Sequence, residues 1–306
     1  MAICVFGSLN LDLVLRTPHL PKAGETLSSS TFETVPGGKG ANQAVAAARL
    51  GTLVHLVGRV GADGFGQQLV AALLGQGVAC DGIFEDASAR TGIAAITVAD
   101  GGENQIVLAA GANGLVGAAD IERLKPKLPG ASALLLQLEI PLQAAISAAK
   151  AARDAGVKVI LDPAPAPAEF PAEFYSLVDI LTPNQTEAEQ LLGQPIRSVA
   201  DALQGARSLQ QKGVERVILT LGDRGIAVAD GSDLQHWPAY PSSVCDTTAA
   251  GDAFNGALAA ALDRNHSWTT ALQWGLAAGA LAVSQAGAQP SLPTRASLLD
   301  FLQAHS

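Results

Sequence analysis

The sequence is short of cysteine and of positive charge, and each shortage excludes a class of protein. Its three cysteines, Cys4, Cys80 and Cys245, form no Cys-x-x-Cys pair, which argues against a zinc site or a disulfide framework and favours a reducing compartment. The 19 Lys and Arg against 28 Asp and Glu give a formal charge of -9. No basic field can therefore hold a nucleic acid or an anionic membrane, and an anionic substrate must be bound locally.

Long hydrophobic runs are also missing. No run approaches the roughly 20 apolar residues that cross a bilayer, and the first residues, MAICVFG, lack the basic start and long apolar core of a signal peptide. With 306 residues, 48% of them hydrophobic, the chain can bury the core of one large α/β domain. We therefore predict a globular cytoplasmic protein with a single domain over residues 1–306.

Strands and helices alternate along most of the sequence. Predicted strands at 3–6, 52–59, 133–138, 157–161, 178–181 and 216–221 are separated by predicted helices through 65–73, 142–155, 187–192 and 199–212. Two more helices are predicted at 268–283 and 294–303. This alternation predicts an α/β fold of three layers, in which helices cover both faces of a mainly parallel sheet.

Two segments interrupt the alternation. Residues 10–36 contain several prolines, serines and threonines without a helical period, and residues 91–110 have the pattern of a hairpin around Asp100-Gly101-Gly102. We predict that the two segments together form a small β-sheet lid over the main domain.

A helix start with very small side chains lies within residues 246–256. Ala249-Ala250-Gly251 precedes a strong helix former, which predicts a helix beginning at Ala250 or Gly251. The unpaired N–H groups and positive partial charge of a helix start attract anions, and small side chains allow a phosphate to approach closely. Asp252, in the first turn, could accept the proton of an attacking hydroxyl or could only cap the helix.

Polar residues near the N-terminus have a pattern suited to a sugar. Asn10 and Asp12 lie on one face of an alternating strand, where they could bind adjacent hydroxyls or belong to an ordinary solvent-facing edge strand. Further on, a glycine-rich turn leads into an alanine-rich helix on which Lys39 and Asn42 share a face. The alternative for this turn is a tight connection with a surface lysine.

The same turn is not a P-loop, because Glu33 stands in the place of its first Gly and Gly40 in the place of its Ser or Thr. No G-x-G-x-x-G follows Gly7 either, which weakens a nicotinamide-dependent oxidoreductase as an interpretation.

Three later groups of residues each have a functional and a structural interpretation. Glu139 follows a strand at the ligand side of the sheet, or is an acid near a helix start. Asn184 and Glu187 have the spacing of a capping box, or Glu187 orients waters on Mg²⁺ with Asn184 near phosphates. The glycines of Gly222-Asp223-Arg224-Gly225 could admit a nucleotide or form a hairpin.

The segments GGKGANQA at residues 37–44 and DTTAAGD at 246–252, together with Asn184-x-x-Glu187, closely resemble the ribokinases of the PfkB-type sugar kinase family. The resemblance covers nearly the whole chain, and two long signatures in the right order are specific. It implies ATP-dependent phosphorylation of D-ribose at the 5-hydroxyl, with ATP, Mg²⁺ and K⁺ as cofactors. It also implies a homodimer that pairs through the lid.

The resemblance assigns roles to individual residues. It implies Asp252 as the general base, with Ala249, Ala250 and Gly251 as an anion hole. It implies sugar binding by Asn10, Asp12, Gly38, Lys39, Gly40, Ala41, Asn42, Glu139 and Asp252. It implies ATP binding by Asn184, Thr220, Leu221, Gly222, Asp223, Arg224, Gly225, Gly251, Asp252 and Leu276, the last standing where relatives often have a polar residue against adenine. It implies Glu187 for Mg²⁺ through water, and Asp246, Thr248, Ala282, Gln285, Gly287 and Ser291 for K⁺.

Other functions remain open at this stage. A kinase on the same scaffold could act on deoxyribose, fructose or a ribonucleoside, although the resemblance favours ribose because relatives that prefer deoxyribose tend to lack an Asn at the position of Asn10. A sugar-binding regulator without catalysis is a further alternative, against which Gly251 and Asp252 both argue.

Overall fold

The computed structural model describes residues 1–305 and contains two β-sheets. The larger sheet consists of β1 (Ala2–Phe6), β4 (Leu53–Gly61), β5 (Val78–Asp86), β8 (Ala131–Leu136), β9 (Lys158–Leu161), β10 (Ile180–Leu181), β11 (Arg216–Thr220), β12 (Ile226–Asp230) and β13 (Asp233–Trp237). The smaller sheet consists of β2 (Asn10–Thr17), β3 (Thr31–Gly37), β6 (Gly92–Ala99) and β7 (Asn104–Ala109).

The larger sheet has the strand order β13-β12-β11-β10-β9-β8-β1-β4-β5. Its neighbouring strands are parallel, except that β12 is antiparallel to β11 and β13 is antiparallel to β12 at one edge. The mainly parallel sheet predicted from the alternation of strands and helices is therefore confirmed.

Eleven helices accompany the two sheets in residues 1–305. They are α1 (Lys39–Arg49), α2 (Gly64–Gly75), α3 (Ala118–Leu124), α4 (Leu142–Asp154), α5 (Ala172–Tyr175), α6 (Gln185–Leu192), α7 (Val199–Gln210), α8 (Ala250–Asp263), α9 (Trp268–Ala282), α10 (Ala288–Ser291) and α11 (Arg295–Ala304). Within this part of the chain, no helix combines the length and the apolar content that crossing a membrane requires.

Two hydrophobic cores, one on each face of the larger sheet, produce the three predicted layers. Successive residues of β1 alternate between them, with Ile3 and Val5 in one core and Cys4 and Phe6 in the other. Helices α1, α2, α8, α9 and α11 pack into the first core, and α3 to α7 pack into the second. Because β1 lies inside the sheet between β8 and β4, the loop that follows it has elements on both sides.

The smaller sheet has the order β3-β2-β6-β7, with β2 and β6 parallel and the two outer pairs antiparallel. It is built from the two segments predicted as a lid, and the hairpin predicted within 91–110 is present as β6 and β7. Its outer strand β7 is exposed along its whole length.

Some elements differ from the sequence prediction. Strand β5, helix α3 and the hairpin of β12 and β13 were not predicted, and each is short or carries polar residues within its apolar pattern. The strand predicted at 133–138 ends at Leu136, so that Gln137 and Glu139 lie in the loop beyond it.

Candidate active site

Glu139, a predicted site residue, lies with polar residues that were not predicted at the carboxyl ends of β1, β8 and β9. Ser8 follows β1, Gln137 and Glu139 follow β8, and Asp162 follows β9. In an open parallel sheet, this edge is where ligands bind. The starts of α1 and α8 come to the same place, since side chains of α1 donate hydrogen bonds to Asp252 in the first turn of α8.

Helix α8 begins at Ala250, as predicted, and no side chain caps its start. The preceding residue, Ala249, has φ 59° and ψ 12°, a left-handed conformation that costs a residue with a side chain about 1–2 kcal/mol. The backbone N–H groups of Gly251 and Asp252 donate to no acceptor among residues 1–305. A Cβ added to Gly251 would meet no atom within 4 Å, so this helix start is open on one side.

The side chain of Asp252 is buried and is held by α1. The amide nitrogen of Asn42 donates to Oδ2 of Asp252 at 3.0 Å, and the amide nitrogen of Gln43 donates to Oδ1 at 3.1 Å. No side chain caps the start of α8, so helix capping does not explain Asp252. Burial raises the pKa of the Asp252 carboxyl, and hydrogen bonds from Asn42 and Gln43 oppose that shift.

Glu139 organises the residues predicted to bind a sugar. Its Oε2 accepts hydrogen bonds from the hydroxyl of Ser8 at 2.5 Å, from the backbone N–H of Lys39 at 3.1 Å and, at 3.5 Å, from Nδ2 of Asn10. Oδ1 of Asn10 accepts from Nδ2 of Asn113 at 2.8 Å. Glu139 therefore bonds across to β2 and α1 and does not act as an acid at the start of α4.

The glycines before α1 are required by close packing. Gly38 has φ 88°, and a Cβ there would lie 2.6 Å from the backbone nitrogen of Asn10. A Cβ on Gly37 would lie 2.4 Å from Oδ2 of Asp12. The buried Gly40 and Ala41 extend this contact, since the N–H of Ala41 donates to the carbonyl of Ser8. The run thus brings β2 and the start of α1 together.

Carboxyl groups outnumber the one ammonium group, that of Lys39, at this site. Burial lowers the pKa of the Lys39 ammonium, but the charges of four carboxyl groups outweigh burial and raise it. These groups are Asp252, Asp162, Glu139 and Glu187. Lys39 is therefore a charged group of the site rather than a surface lysine.

Two carboxyl groups of the site, those of Asp12 and Asp162, have raised pKa values. Burial, followed by the charges of Glu139 and Asp252, raises the pKa of Asp12 to about 7. Burial also raises the pKa of Asp162 well above its usual value. A site with several crowded carboxyl groups and one ammonium would be stabilised by a bound cation.

Asn184 and Glu187 form the capping box of α6. Oδ1 of Asn184 accepts from the N–H of Glu187 at 2.9 Å, and Oε2 of Glu187 accepts from the N–H of Asn184 at 2.8 Å. The structural interpretation is therefore correct for this pair. The functional interpretation of the pair stays open, because the charge of Glu187 acts on both Lys39 and Asp252.

The predicted nucleotide turn joins β11 to β12. Thr220 ends β11, Leu221 is buried, and residues 222–224 form one turn of 3₁₀ helix that includes Asp223. Gly225 has φ 86° and a Cβ there would lie 2.0 Å from the carbonyl of Trp237, so the hairpin itself requires this glycine.

The other residues predicted to bind ATP differ in exposure. A Cβ on Gly222 would meet nothing within 4 Å, so this glycine borders open space. Arg224 donates to Oε1 of Gln185 at 2.5 Å, which ties the turn to α6. Leu276 is 9% exposed on α9 and packs in the core.

Two of the residues assigned to K⁺, Thr248 and Gly287, donate hydrogen bonds to the carboxylate of a third, Asp246. Asp246 accepts from the N–H of Thr248 and from the N–H of Gly287, both at 2.9 Å. Burial opposes ionisation, but these hydrogen bonds keep the pKa of Asp246 below its usual value. The other assigned residues, Ala282, Gln285 and Ser291, lie in or beside the connection between α9 and α11. A carboxylate beside such a turn suits a monovalent cation bound partly by backbone carbonyls.

No group of three or more His, Cys, Asp or Glu side chains within residues 1–305 is arranged to hold a metal ion. Mg²⁺ commonly keeps several waters and takes few protein ligands, so a carboxylate such as Glu187 that contacts it through water fits this arrangement.

Sequence reasoning missed several buried polar residues of the site. These are Ser8, Gln43, Asn113, Gln137 and Asp162. A polar residue one or two positions after a buried strand was the available signal for Ser8, Gln137 and Asp162. Asn113 lies in a short 3₁₀ segment whose sequence carries no such signal.

The comparisons with known proteins agree with this geometry. Residues 2–295 match the model of the pfkB family carbohydrate kinases. The chain belongs to this family. It is 40% identical over 301 residues to a ribokinase of Haemophilus influenzae, covering 98% of both proteins. It is 33% identical over 302 residues to a deoxyribokinase of Salmonella typhi, covering 99% of both.

A solved structure supports the same assignment. The structure of Arabidopsis thaliana ribokinase complexed with ribose and ATP matches with a TM-score of 0.90 and 36% identity, covering 99% of both chains. The resemblance to the ribokinases of this family and the three-layer fold are therefore confirmed.

Proposed function

We propose that this chain transfers the γ-phosphoryl group of ATP to the 5-hydroxyl of D-ribose, giving ribose 5-phosphate. The observation that carries the proposal is a buried carboxylate, Asp252, in the first turn of α8, whose start at Ala249 to Gly251 has no side-chain cap. The similarity of the chain to ribokinases, one of them solved with ribose and ATP, supports this substrate pair.

Asp252 acts as the general base. Each of its oxygens accepts one amide N–H, from Asn42 or Gln43, and a carboxylate has room for further hydrogen bonds. The sugar hydroxyl donates to one of these remaining positions and transfers its proton there as its oxygen bonds to the γ-phosphorus. The bond from that phosphorus to the β-phosphate oxygen breaks, and ADP leaves. Burial raises the pKa of Asp252 toward the working pH, which makes the carboxylate a better base.

The start of α8 stabilises the transferred group. The N–H groups of Gly251 and Asp252 and the positive partial charge of the helix start face the negative charge of the phosphoryl oxygens. The strained backbone at Ala249 is consistent with a functional turn at this position.

The other hydroxyls of the sugar bind to Asn10, Asp12, Lys39, Asn42 and Glu139. Oδ1 of Asn42 is buried and accepts no hydrogen bond within residues 1–305, so a sugar hydroxyl would satisfy it. The amide and carboxyl groups offer paired donors and acceptors for adjacent hydroxyls.

ATP binds along the turn at 220–225, with Asn184 near its phosphates. Glu187 would hold Mg²⁺ through water, and the ion would supply positive charge to neutralise the phosphates. Asp246, Thr248 and the turn from Ala282 to Ser291 would hold K⁺, which would supply a further positive charge to the site.

The lid excludes water, and we propose that it also joins two subunits in the cytoplasm. On β7, Ile106 is 51% exposed, Val107 64% and Leu108 54%, and pairing would cover this open apolar edge. A mass of one subunit in solution at micromolar concentration would contradict the homodimer. We also infer that residues 1–306 form one domain.

The test is a coupled assay of ADP release with ribose, with and without K⁺. Turnover with ribose that K⁺ increases is the expected result. ADP release with deoxyribose, fructose and ribonucleosides at equal concentration tests the alternative sugar and nucleoside kinases. Deoxyribose is a relevant substrate to compare, because one relative of the chain is a deoxyribokinase. Ribose binding without ADP release would establish the regulator instead.

A further inference from the structure

Gln43 lies directly behind Asp252 and bonds to two carboxyl groups at once. Its side chain is fully buried on α1. Its amide nitrogen donates to Oδ1 of Asp252 at 3.1 Å and to Oδ2 of Asp162 at 2.9 Å. An amide nitrogen has two N–H groups, so both donors of Gln43 are used.

The orientation of this amide is determined on its other side. The carbonyl Oε1 of Gln43 accepts from the amide nitrogen of Gln137 at 2.6 Å, and Gln137 is itself fully buried. A flipped Gln43 would place its oxygen against the acceptor oxygens of Asp252 and Asp162. The surroundings therefore allow only one orientation, with the nitrogen toward Asp252.

We propose that Gln43 is a positioning residue for the general base, held in place by Asp162 and Gln137. The inference rests on the proposed function, because it concerns the step in which Asp252 accepts the sugar proton. Asn42, which bonds the other oxygen of Asp252, belongs to the sugar-binding group. The bond from Gln43 comes instead from the buried side and keeps the carboxylate aimed at the sugar when Asn42 bonds a hydroxyl.

The charge state of Asp162 is consistent with this role. Two ionised carboxylates bonded to one buried nitrogen would repel each other. Burial raises the pKa of both carboxyl groups, and that of Asp162 lies well above its usual value. Protonation of Asp162 relieves the repulsion, and its second oxygen still accepts from Gln43.

The pH dependence of the base also reflects the charged groups around it. Besides Asp162, Lys39 from α1, Asp12 from β2, Glu139 from the loop after β8 and Glu187 from α6 act on Asp252. Against this constant background, the hydrogen bond from Gln43 lowers the pKa of Asp252.

The decisive variant is Gln43→Met, which keeps the size of the side chain and removes its donors. We expect kcat with ribose to fall about 10- to 100-fold, because the base is less well aligned, with KM for ribose changed less than about threefold. The acidic limb of the kcat profile should move to higher pH, since a donor that lowers the pKa of Asp252 is gone. A purely structural role would lower stability without moving this limb.

The matched control is Gln76→Met. Gln76 accepts a hydrogen bond from Arg49 at the far end of α1, so this variant removes one bond to the same helix away from the site. We expect wild-type kcat and an unchanged pH profile.

A second pair of variants tests the support of Gln43 if Gln43→Met does not fold. Asp162→Asn keeps a neutral acceptor for Gln43, whereas Asp162→Ala removes it. We expect Asp162→Asn to restore most of the kcat that Asp162→Ala loses.

Several outcomes would overturn the inference. They are a wild-type kcat and pH profile in Gln43→Met, a loss of stability with the acidic limb unmoved, and equal kcat for Asp162→Asn and Asp162→Ala. Failure of the wild-type enzyme to phosphorylate ribose would instead refute the proposed function. The same variants would then be measured with the sugar that the wild-type enzyme does phosphorylate.

Discussion

The two halves of the candidate site are built differently. The sugar half consists of buried side chains that bond to one another across β2, α1, α8 and the loops after β1 and β8. The nucleotide half consists of local structures, the capping box of α6 and the turn between β11 and β12, with Asn184 exposed. The sugar half therefore depends on long-range packing of side chains, and the nucleotide half on local backbone conformation.

The sharpest test of the sugar half is Asp252→Asn. We expect kcat to fall about 10²- to 10⁴-fold, because the proposed general base is lost, while ribose affinity is largely kept. Steady-state kinetics and ribose titration would measure both. Turnover close to that of the wild type would show that another group accepts the proton.

The corresponding test of the nucleotide half is Gly225→Ala. Because a Cβ would lie 2.0 Å from the carbonyl of Trp237 at a φ of 86°, we expect a loss of about 2–4 kcal/mol in the free energy of unfolding, measured in urea. The control is Gly222→Ala, which has open space and should cost only about 1 kcal/mol. Equal effects of the two would contradict a packing requirement at Gly225.

A smaller effect is expected for Glu187→Gln, which separates capping from cation binding. The proposed role of Glu187 predicts that the Mg²⁺ concentration for half-maximal rate rises about tenfold, because the variant lacks the charge that would attract the ion through water. Asp201→Asn is the control, since Asp201 belongs to the capping box of α7. It should change stability slightly and leave the Mg²⁺ requirement unaltered. If both variants behave alike, Glu187 is only a capping residue.

The smallest effect is expected in the pH dependence of KM for ribose, with KM for ATP as the comparison. The pKa of Asp12 is raised to about 7, so lowering the pH from 8 to 6 protonates it and removes an acceptor for sugar hydroxyls. We expect KM for ribose to rise about 3- to 10-fold over this interval, while KM for ATP stays nearly constant. In Asp12→Asn the pH dependence of the ribose KM should disappear. Its persistence in that variant would assign the titration to another group.

The same comparison shows what could be predicted from the sequence. The start of α8 at Ala250 and the hairpin of the smaller sheet were predicted, because small residues before a helix former and a hairpin pattern are local signals. The role of Asn184 and Glu187 remained ambiguous, since one spacing serves both a capping box and a cation site. Gln43 and Asp162 were missed because their partners are 209 and 119 residues away in the chain.

By itself, the sequence determined the three-layer α/β fold and the small second sheet, because hydrophobic periodicity is a property of neighbouring residues. Its resemblance to a kinase family rested on signatures that can be recognised without the fold. Only the tertiary structure decided that Asp252 is held by α1 and that Lys39 lies among several carboxyl groups. It also decided that Gly225 is required by a carbonyl of the next strand. Burial, hydrogen bonding and electrostatic shifts depend on distances between atoms, and those distances exist only when remote segments of the chain have packed together.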